Sequence, residues 1–162
     1  MDELKALLEI RGIRKRRVEE AEDALRKAQA QLERRRSELK EAEQALADYV
    51  NELPSLIQRL YEDVIGFEIT QNFLQEKVRR ERELRARVED FKARVKEAAD
   101  AVEQARKHVQ ACAEKLKKEQ LKLDALDELI QSIKNNRKLA KARADAKVLD
   151  ELANARFVRA RA

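Results

Sequence analysis

Residues 88–130 read VEDFKARVKEAADAVEQARKHVQACAEKLKKEQLKLDALDELI, and the spacing of their apolar residues predicts the fold class. One row of apolar side chains, called a, recurs every seven residues: Val88, Val95, Val102, Val109, Leu116, Leu123 and Ile130. A companion row, called d, contains Leu84, Phe91, Ala98, Ala105, Cys112, Glu119, Leu126 and Ile133. A repeat sustained over this many heptads is typical of a helix that packs along its length on another helix.

A second heptad seam precedes the first one along the chain. Its a row is Val18, Leu25, Leu32, Leu39, Leu46 and Leu53, and its d row is Ala21, Ala28, Arg35, Ala42 and Tyr49. Between the seams lies Pro54, which has no backbone N–H and favours a helix end before it. The pairs Ser55–Gln58 and Asn72–Gln75 resemble capping boxes, which mark helix starts. Two helical arms joined by an interrupted segment indicate a hairpin.

The predicted fold is all-α: a long antiparallel two-helix coiled-coil hairpin that forms one extended domain over residues 1–162. Its parts are helix 1 at about 3–53, a short helical tip at 54–72, helix 2 at about 73–134 and a C-terminal helical overhang at 135–162. Tyr61 and Phe67 belong to the apolar tip. The overhang carries a displaced apolar stripe of Leu139, Ala142, Ala146, Leu149 and Ala153.

The pairing of large with small side chains predicts the register of the two arms. In the predicted register the numbers of facing residues sum to 130, so Leu25 meets Ala105 and Arg11 meets Glu119. A slip by one heptad in either direction would place Glu119 against Leu4 or Val18 and bury a charge without an opposite one. In this register helix 2 loses its partner at about Leu126 to Ile130.

Composition excludes several functional classes. Of 162 residues 43% are charged, against roughly 25% in an average domain. There are two glycines, one proline and one cysteine, so we expect no intrachain disulfide, no multi-cysteine zinc site and no glycine-rich phosphate loop. Cys112 and His108 are four residues apart, but Cys112 is a seam position, which favours a structural role. We predict no enzyme, no cofactor, no metal, no stable membrane insertion and a cytoplasmic location.

The positive charge is concentrated at one end of the predicted hairpin. Residues 134–162 hold nine Lys or Arg and three Asp or Glu, a net of +6, while the whole chain has a net charge of +5. The cluster Arg11, Arg14, Lys15, Arg16 and Arg17 lies at the same end. Such a cluster is either an ordinary solvated face or a docking surface for an acidic partner.

The run LKALLEIRGIRKRRVEEAEDAL at residues 4–25 resembles the YscO/FliJ family of type III secretion and flagellar export. Its LLxIRxxR start places Leu7, Leu8, Ile10, Arg11 and Arg14 on the family motif. The resemblance implies a non-enzymatic central stalk protein, similar to the stalk subunit of rotary ATPases. It also implies three partners: the hexameric secretion ATPase, the cytoplasmic domain of the export gate, and chaperones of translocator subunits. The implied location is peripheral, at the base of the apparatus.

The expected partner-binding residues follow from this resemblance and from the exposed apolar segments. Leu7, Arg11, Arg14 and Arg17, together with Leu139 and Leu149 of the overhang, are expected to contact the ATPase. Tyr61 and Phe67 are expected to serve the gate or a chaperone. The basic tail departs from the more acidic C-terminal segment expected in relatives. A generic coiled-coil spacer or homodimer and a basic-tailed nucleic-acid binder are the alternatives to the expected monomeric stalk without nucleic acid.

Overall fold

A computed structural model describes residues 2–66 and 68–161, which form two long α-helices. Helix α1 runs from Glu3 to Tyr61 and helix α2 from Gln71 to Arg161, and they pack against each other without any strand in the described ranges. The prediction of an all-α helical hairpin is therefore confirmed.

The predicted seams are the covered faces of the two helices. In α1 every a and d residue from Val18 to Leu53 is buried or half-buried, and so is every a and d residue of α2 from Leu84 to Ile133. The most deeply buried apolar residues are Val18, Ala21, Ala28, Leu32, Tyr49, Leu123 and Ile130. Burial of these two rows is the main stabilising contribution to the fold, because the free energy gained from the hydrophobic effect increases with the apolar area removed from water.

The helix break predicted before Pro54 is wrong. Helix α1 continues through Pro54 to Tyr61, although proline removes one intrahelical hydrogen bond. Leu53 precedes the proline, and Leu56 and Ile57 follow it, and all three are half-buried. Packing on both sides of the proline holds the helix together, so the separate tip helix predicted from residue 54 is instead the last part of α1.

The connection between the helices is short. The N–H of Glu62 donates to the carbonyl of Arg59 (3.4 Å) and that of Val64 to the carbonyl of Tyr61 (3.1 Å). Gly66 has a φ of +84°, a left-handed conformation that favours glycine. Helix α2 starts one residue after Thr70, whose Oγ1 accepts from the N–H of Phe73 at 3.2 Å. Thr70 is thus the cap, rather than Asn72 as the sequence suggested. Phe67 lies outside the described residues.

The chain divides into two compact units, each with an arm from α1 and an arm from α2. One unit extends from Ala24 to Cys112 and contains the turn. In it, the ring of Tyr49 stacks on that of Phe91 with centroids 4.7 Å apart, and the Tyr49 hydroxyl donates to the carbonyl of Leu84 at 2.5 Å. The other unit combines the residues up to Asp23 with those from Ala113 onward.

The predicted register is wrong in this second unit. Arg11 pairs with Asp127 (2.5 Å between Nε and Oδ1) and not with Glu119, while Asp2 pairs with Arg137 (3.0 Å). The numbers of these partners sum to 138 and 139, about one heptad above the predicted 130. The covered part of α2 consequently reaches Ile133 instead of ending at Leu126 to Ile130, and Ile130 is only 5% exposed.

Candidate functional site

The unit that joins the start of α1 to the end of α2 contains six of the eight predicted partner-binding residues. Leu7, Arg11 and Arg14 occupy seam positions and are half-buried, whereas Arg17 is exposed. Leu139 and Leu149 lie in the same unit and are 56% and 66% exposed.

The arginines of this unit are not equivalent. Arg11 is committed to an ion pair inside the chain, because its Nε contacts the carboxylate of Asp127, and both side chains are about 40% exposed. Neither Arg14 nor Arg17 forms an ion pair with any residue that the structure describes. Arg14 and Arg17 are therefore the members of the predicted set whose charges remain available to an acidic partner.

The structure adds exposed apolar residues that were not among the predicted partner-binding residues. Ile10 and Ile13 are 44% and 51% exposed and lie three positions apart, so they are neighbours on the surface of α1. Leu129 of α2 is 48% exposed. Each of Ile10 and Leu129 immediately precedes a seam position, and in the observed register the two residues lie level with each other. The missed signal was an apolar residue in a position next to the seam.

The overhang has no covering partner along its described length. Every residue from Lys134 to Arg161 is exposed, although this segment remains α-helical. Besides Leu139 and Leu149, four more large apolar residues are exposed there: Val148, Leu152, Phe157 and Val158. A helix of this kind gains little stability from its own chain, because most helical stability in proteins comes from packing of an apolar face.

The turn end of the other unit combines a buried cation with exposed apolar side chains. Lys77 is 7% exposed, donates to Asp63 at 2.9 Å and lies over the ring of Phe73. The Tyr61 hydroxyl donates to Glu81 at 2.8 Å, which raises the pKa of Tyr61 and lowers that of Glu81. Tyr61 thus has a structural partner. Exposed apolar side chains here are those of Ile65, Phe73, Leu74 and Val78.

Potential metal ligands do not cluster within the described ranges. Sγ of Cys112 lies 3.7 Å from Nε2 of His108, but no group of three or more His, Cys, Asp or Glu residues gathers there or elsewhere in residues 2–66 and 68–161. Among the same residues, no helix is apolar over a length that could cross a bilayer.

Comparison with known proteins extends this picture. The model of one family, described as type III secretion protein YscO, matches residues 4–154. Searches of curated proteins and of solved structures found no match. The family match covers both arms of the hairpin and most of the exposed overhang, so this chain belongs to the YscO family of type III secretion proteins.

Proposed function

We propose that the chain is a non-enzymatic stalk component of a type III secretion apparatus that docks with the hexameric secretion ATPase. In this proposal the unit formed by residues 2–23 and 113–161 contacts the ATPase. The turn end contacts the cytoplasmic domain of the export gate and chaperones of translocator subunits. The protein acts in the cytoplasm, at the base of the apparatus.

One observation carries the proposal: residues 134–161 form a helix that is exposed on all sides and displays large apolar residues. Patches of this kind on a protein surface mark sites of interaction. The charges of Arg14 and Arg17, which belong to the same unit, would attract an acidic surface over a Debye length of about 8 Å in physiological salt. Together these features favour docking to another protein over a role as an inert spacer.

Stimulation of the cognate secretion ATPase by the purified chain tests this docking. The double substitution R14E/R17E is expected to weaken binding about tenfold, because two attractive contacts become repulsive. The matched control is R34E/R87E, which makes the same charge change at two exposed positions of the other unit. Arg11 is left unchanged because its loss would also break the pair with Asp127. Equal ATPase stimulation by both variants and the parent chain would contradict the proposal.

The role of the turn end is tested separately. Leu74 is 42% exposed, and the substitution L74S is expected to reduce capture of the chain by the export-gate domain or by a translocator chaperone. V50S is the control, since Val50 lies in the same unit and is 45% exposed. If the gate domain and the chaperone capture both variants as well as the parent chain, the exposed turn residues do not contribute to gate or chaperone binding.

A further inference from the structure

The apolar stripe of the overhang lies on a different side of α2 from the seam that α1 covers. At about 100° per residue, the stripe falls within an arc of about 80°. Its members are Leu139, Ala142, Ala146, Leu149, Ala153, Phe157 and Ala160. The covered seam ends with Leu126, Ile130 and Ile133, whose mean direction is about 170° away from the centre of the stripe. The stripe is therefore not a continuation of the seam, and a partner on it would lie on the face of α2 opposite α1.

Positive charges border this stripe on both sides. One border has Arg143, Lys147 and Arg161, and the other has Lys141, Arg156 and Arg159. Two carboxylates, Asp145 and Asp150, lie among them, so over residues 139–161 the borders carry a net charge of +4. None of the six cations forms an ion pair with a residue in the described part of the chain, and Arg161 lies over the ring of Phe157 at 4.5 Å.

We propose that this stripe binds an acidic amphipathic α-helix of a partner protein, packed on the face of α2 opposite α1. The inference rests on the proposed function for its setting and deepens it by naming the chemistry of the docked segment. A helix fits because the stripe is narrow and straight and has the 3–4 spacing of a coiled-coil seam. Alanine at four of its seven positions allows close approach and favours large apolar side chains on the partner.

The borders determine which helix fits. Carboxylates that flank the apolar face of the partner would meet the six cations, as charged residues beside a coiled-coil seam do. A second copy of this chain would bring the same cations and meet repulsion. A lipid surface would gain little apolar contact from a stripe whose bulky members are only Leu139, Leu149 and Phe157.

Binding of a designed peptide to the full chain tests the surface directly. The probe is a labelled helical peptide of roughly 28 residues with Leu at the seam positions and Glu beside them, and the comparison peptide has Lys in place of Glu. Fluorescence anisotropy is expected to show binding of the Glu peptide that weakens as salt is raised, with little binding of the Lys peptide. Equal binding of the two peptides, or binding of neither, would overturn the inference.

Matched replacements of alanine by glutamate locate the binding face. A142E/A146E places two charges on the stripe, while A140E/A144E places the same two charges, at the same spacing, on the side where the seam would have continued. All four alanines are exposed, and circular dichroism at 222 nm checks that both variants keep the parent helicity. The stripe variant is expected to weaken binding of the Glu peptide about tenfold or more, and the control variant by less than about twofold. Equal effects would overturn the inference.

The same two variants separate the inference from the proposed function when they are titrated with the secretion ATPase. If the ATPase binds and R14E/R17E weakens binding but both alanine pairs leave it unchanged, docking stands and the stripe is not its surface. If the Glu peptide binds the stripe and the ATPase does not bind, the surface stands and the stalk proposal fails. If the chain binds vesicles of phosphatidylglycerol through the stripe more tightly than it binds the Glu peptide, the inference is overturned in favour of a lipid surface.

Discussion

Glu119 carries a carboxylate on the covered face of α2, where its side chain is only 12% exposed. Its Oε1 atom lies 3.7 Å from Nζ of Lys122, while its Oε2 atom is buried without a hydrogen-bond partner among the residues that the structure describes. A buried charged oxygen that has lost water and gained no donor costs free energy. Glu119 therefore lowers the stability of the hairpin in its observed register.

Replacement of this carboxylate by an apolar side chain is expected to stabilise the protein. We predict that Glu119→Leu raises the free energy of unfolding by about 1–3 kcal/mol, since it removes the desolvation cost and adds apolar burial. Urea denaturation followed by circular dichroism measures the change. Glu114→Leu is the control because Glu114 is exposed, and it should change stability by less than about 0.5 kcal/mol. A loss of stability in Glu119→Leu would show that the carboxylate has a favourable partner.

The ion pair between Asp63 and Lys77 predicts a dependence of stability on pH. The hydrogen bond from Lys77 is the main reason that the pKa of Asp63 lies below its ordinary value, and Tyr61 and Arg85 lower the pKa of Glu81. A carboxyl group whose pKa is lower in the folded state contributes stability above its unfolded pKa, and this stability is lost as pH falls through the folded pKa. The melting temperature should consequently decrease as the solution is acidified from about pH 5 to pH 2.

The variant Asp63→Asn isolates this contribution. It should melt at a lower temperature than the parent chain at pH 7, because Lys77 loses its charged partner while it remains buried. Its melting temperature should also depend less on pH in the acid range. The control Glu68→Gln removes a charge from an exposed residue of the same turn and should leave the acid profile parallel to that of the parent chain. Parallel acid profiles for Asp63→Asn and the parent chain would contradict the assignment.

At the scale of the elements, the two helices differ in how much of their length is supported by packing. Helix α2 has 91 residues, and those from Lys134 to Arg161 are exposed throughout, whereas the covered seam ends at Ile133. Segments with few buried contacts unfold locally at little cost in free energy. The overhang should accordingly be uncoupled from the cooperative unfolding of the paired helices.

Truncation after Ile133 tests this uncoupling. The shortened chain should lose about one-fifth of the helical signal, in proportion to the residues removed, and keep the melting temperature of the parent chain within about 2 °C. A second truncation after Leu126 also removes Ile130, which is 5% exposed, and Ile133, so it should lower the melting temperature. A large destabilisation by the first truncation would indicate that the overhang packs on its own chain.

The same elements show how far sequence could predict the fold. The two seams were predicted residue by residue, because a heptad repeat identifies which face of a helix is covered. The register of the two helices was not predicted correctly, because one heptad pattern fits another almost equally well after a slip of seven residues. The alternative registers differ in whether Glu119 faces Arg11 or is buried without an opposite charge. The structure pairs Arg11 with Asp127 and leaves Glu119 buried.

Similar physics explains what sequence could predict of the candidate site. Exposure of Leu139 and Leu149 followed from the end of the seam, because a stripe beyond the paired region has nothing to cover it. Exposure of Ile10 and Leu129 did not follow from the pattern, since a residue beside a seam is covered or exposed according to the register. Which proteins contact these residues depends on surfaces outside this chain.

At the scale of the whole molecule, net charge is expected to govern self-association. The seams of α1 and α2 cover each other within one chain, whereas the overhang stripe is an unpartnered apolar face that a second copy could use. Two copies joined through it would bring two borders of net charge +4 together. Repulsion between them is strongest at low ionic strength and is screened by salt.

We therefore predict a monomer, and we expect salt to favour self-association but to weaken binding of an acidic helix. Sedimentation equilibrium at about 0.05 M salt should give the monomer mass of 18.9 kDa, and any dimer should form only as salt is raised. A complex with an acidic helix should weaken over the same range, because salt screens attraction as well as repulsion. The chain truncated after Ile133 lacks the stripe and should remain monomeric at every salt concentration. A dimer that is stable at low salt would instead favour the homodimeric spacer, because its contacts would have to outweigh the repulsion between the overhangs.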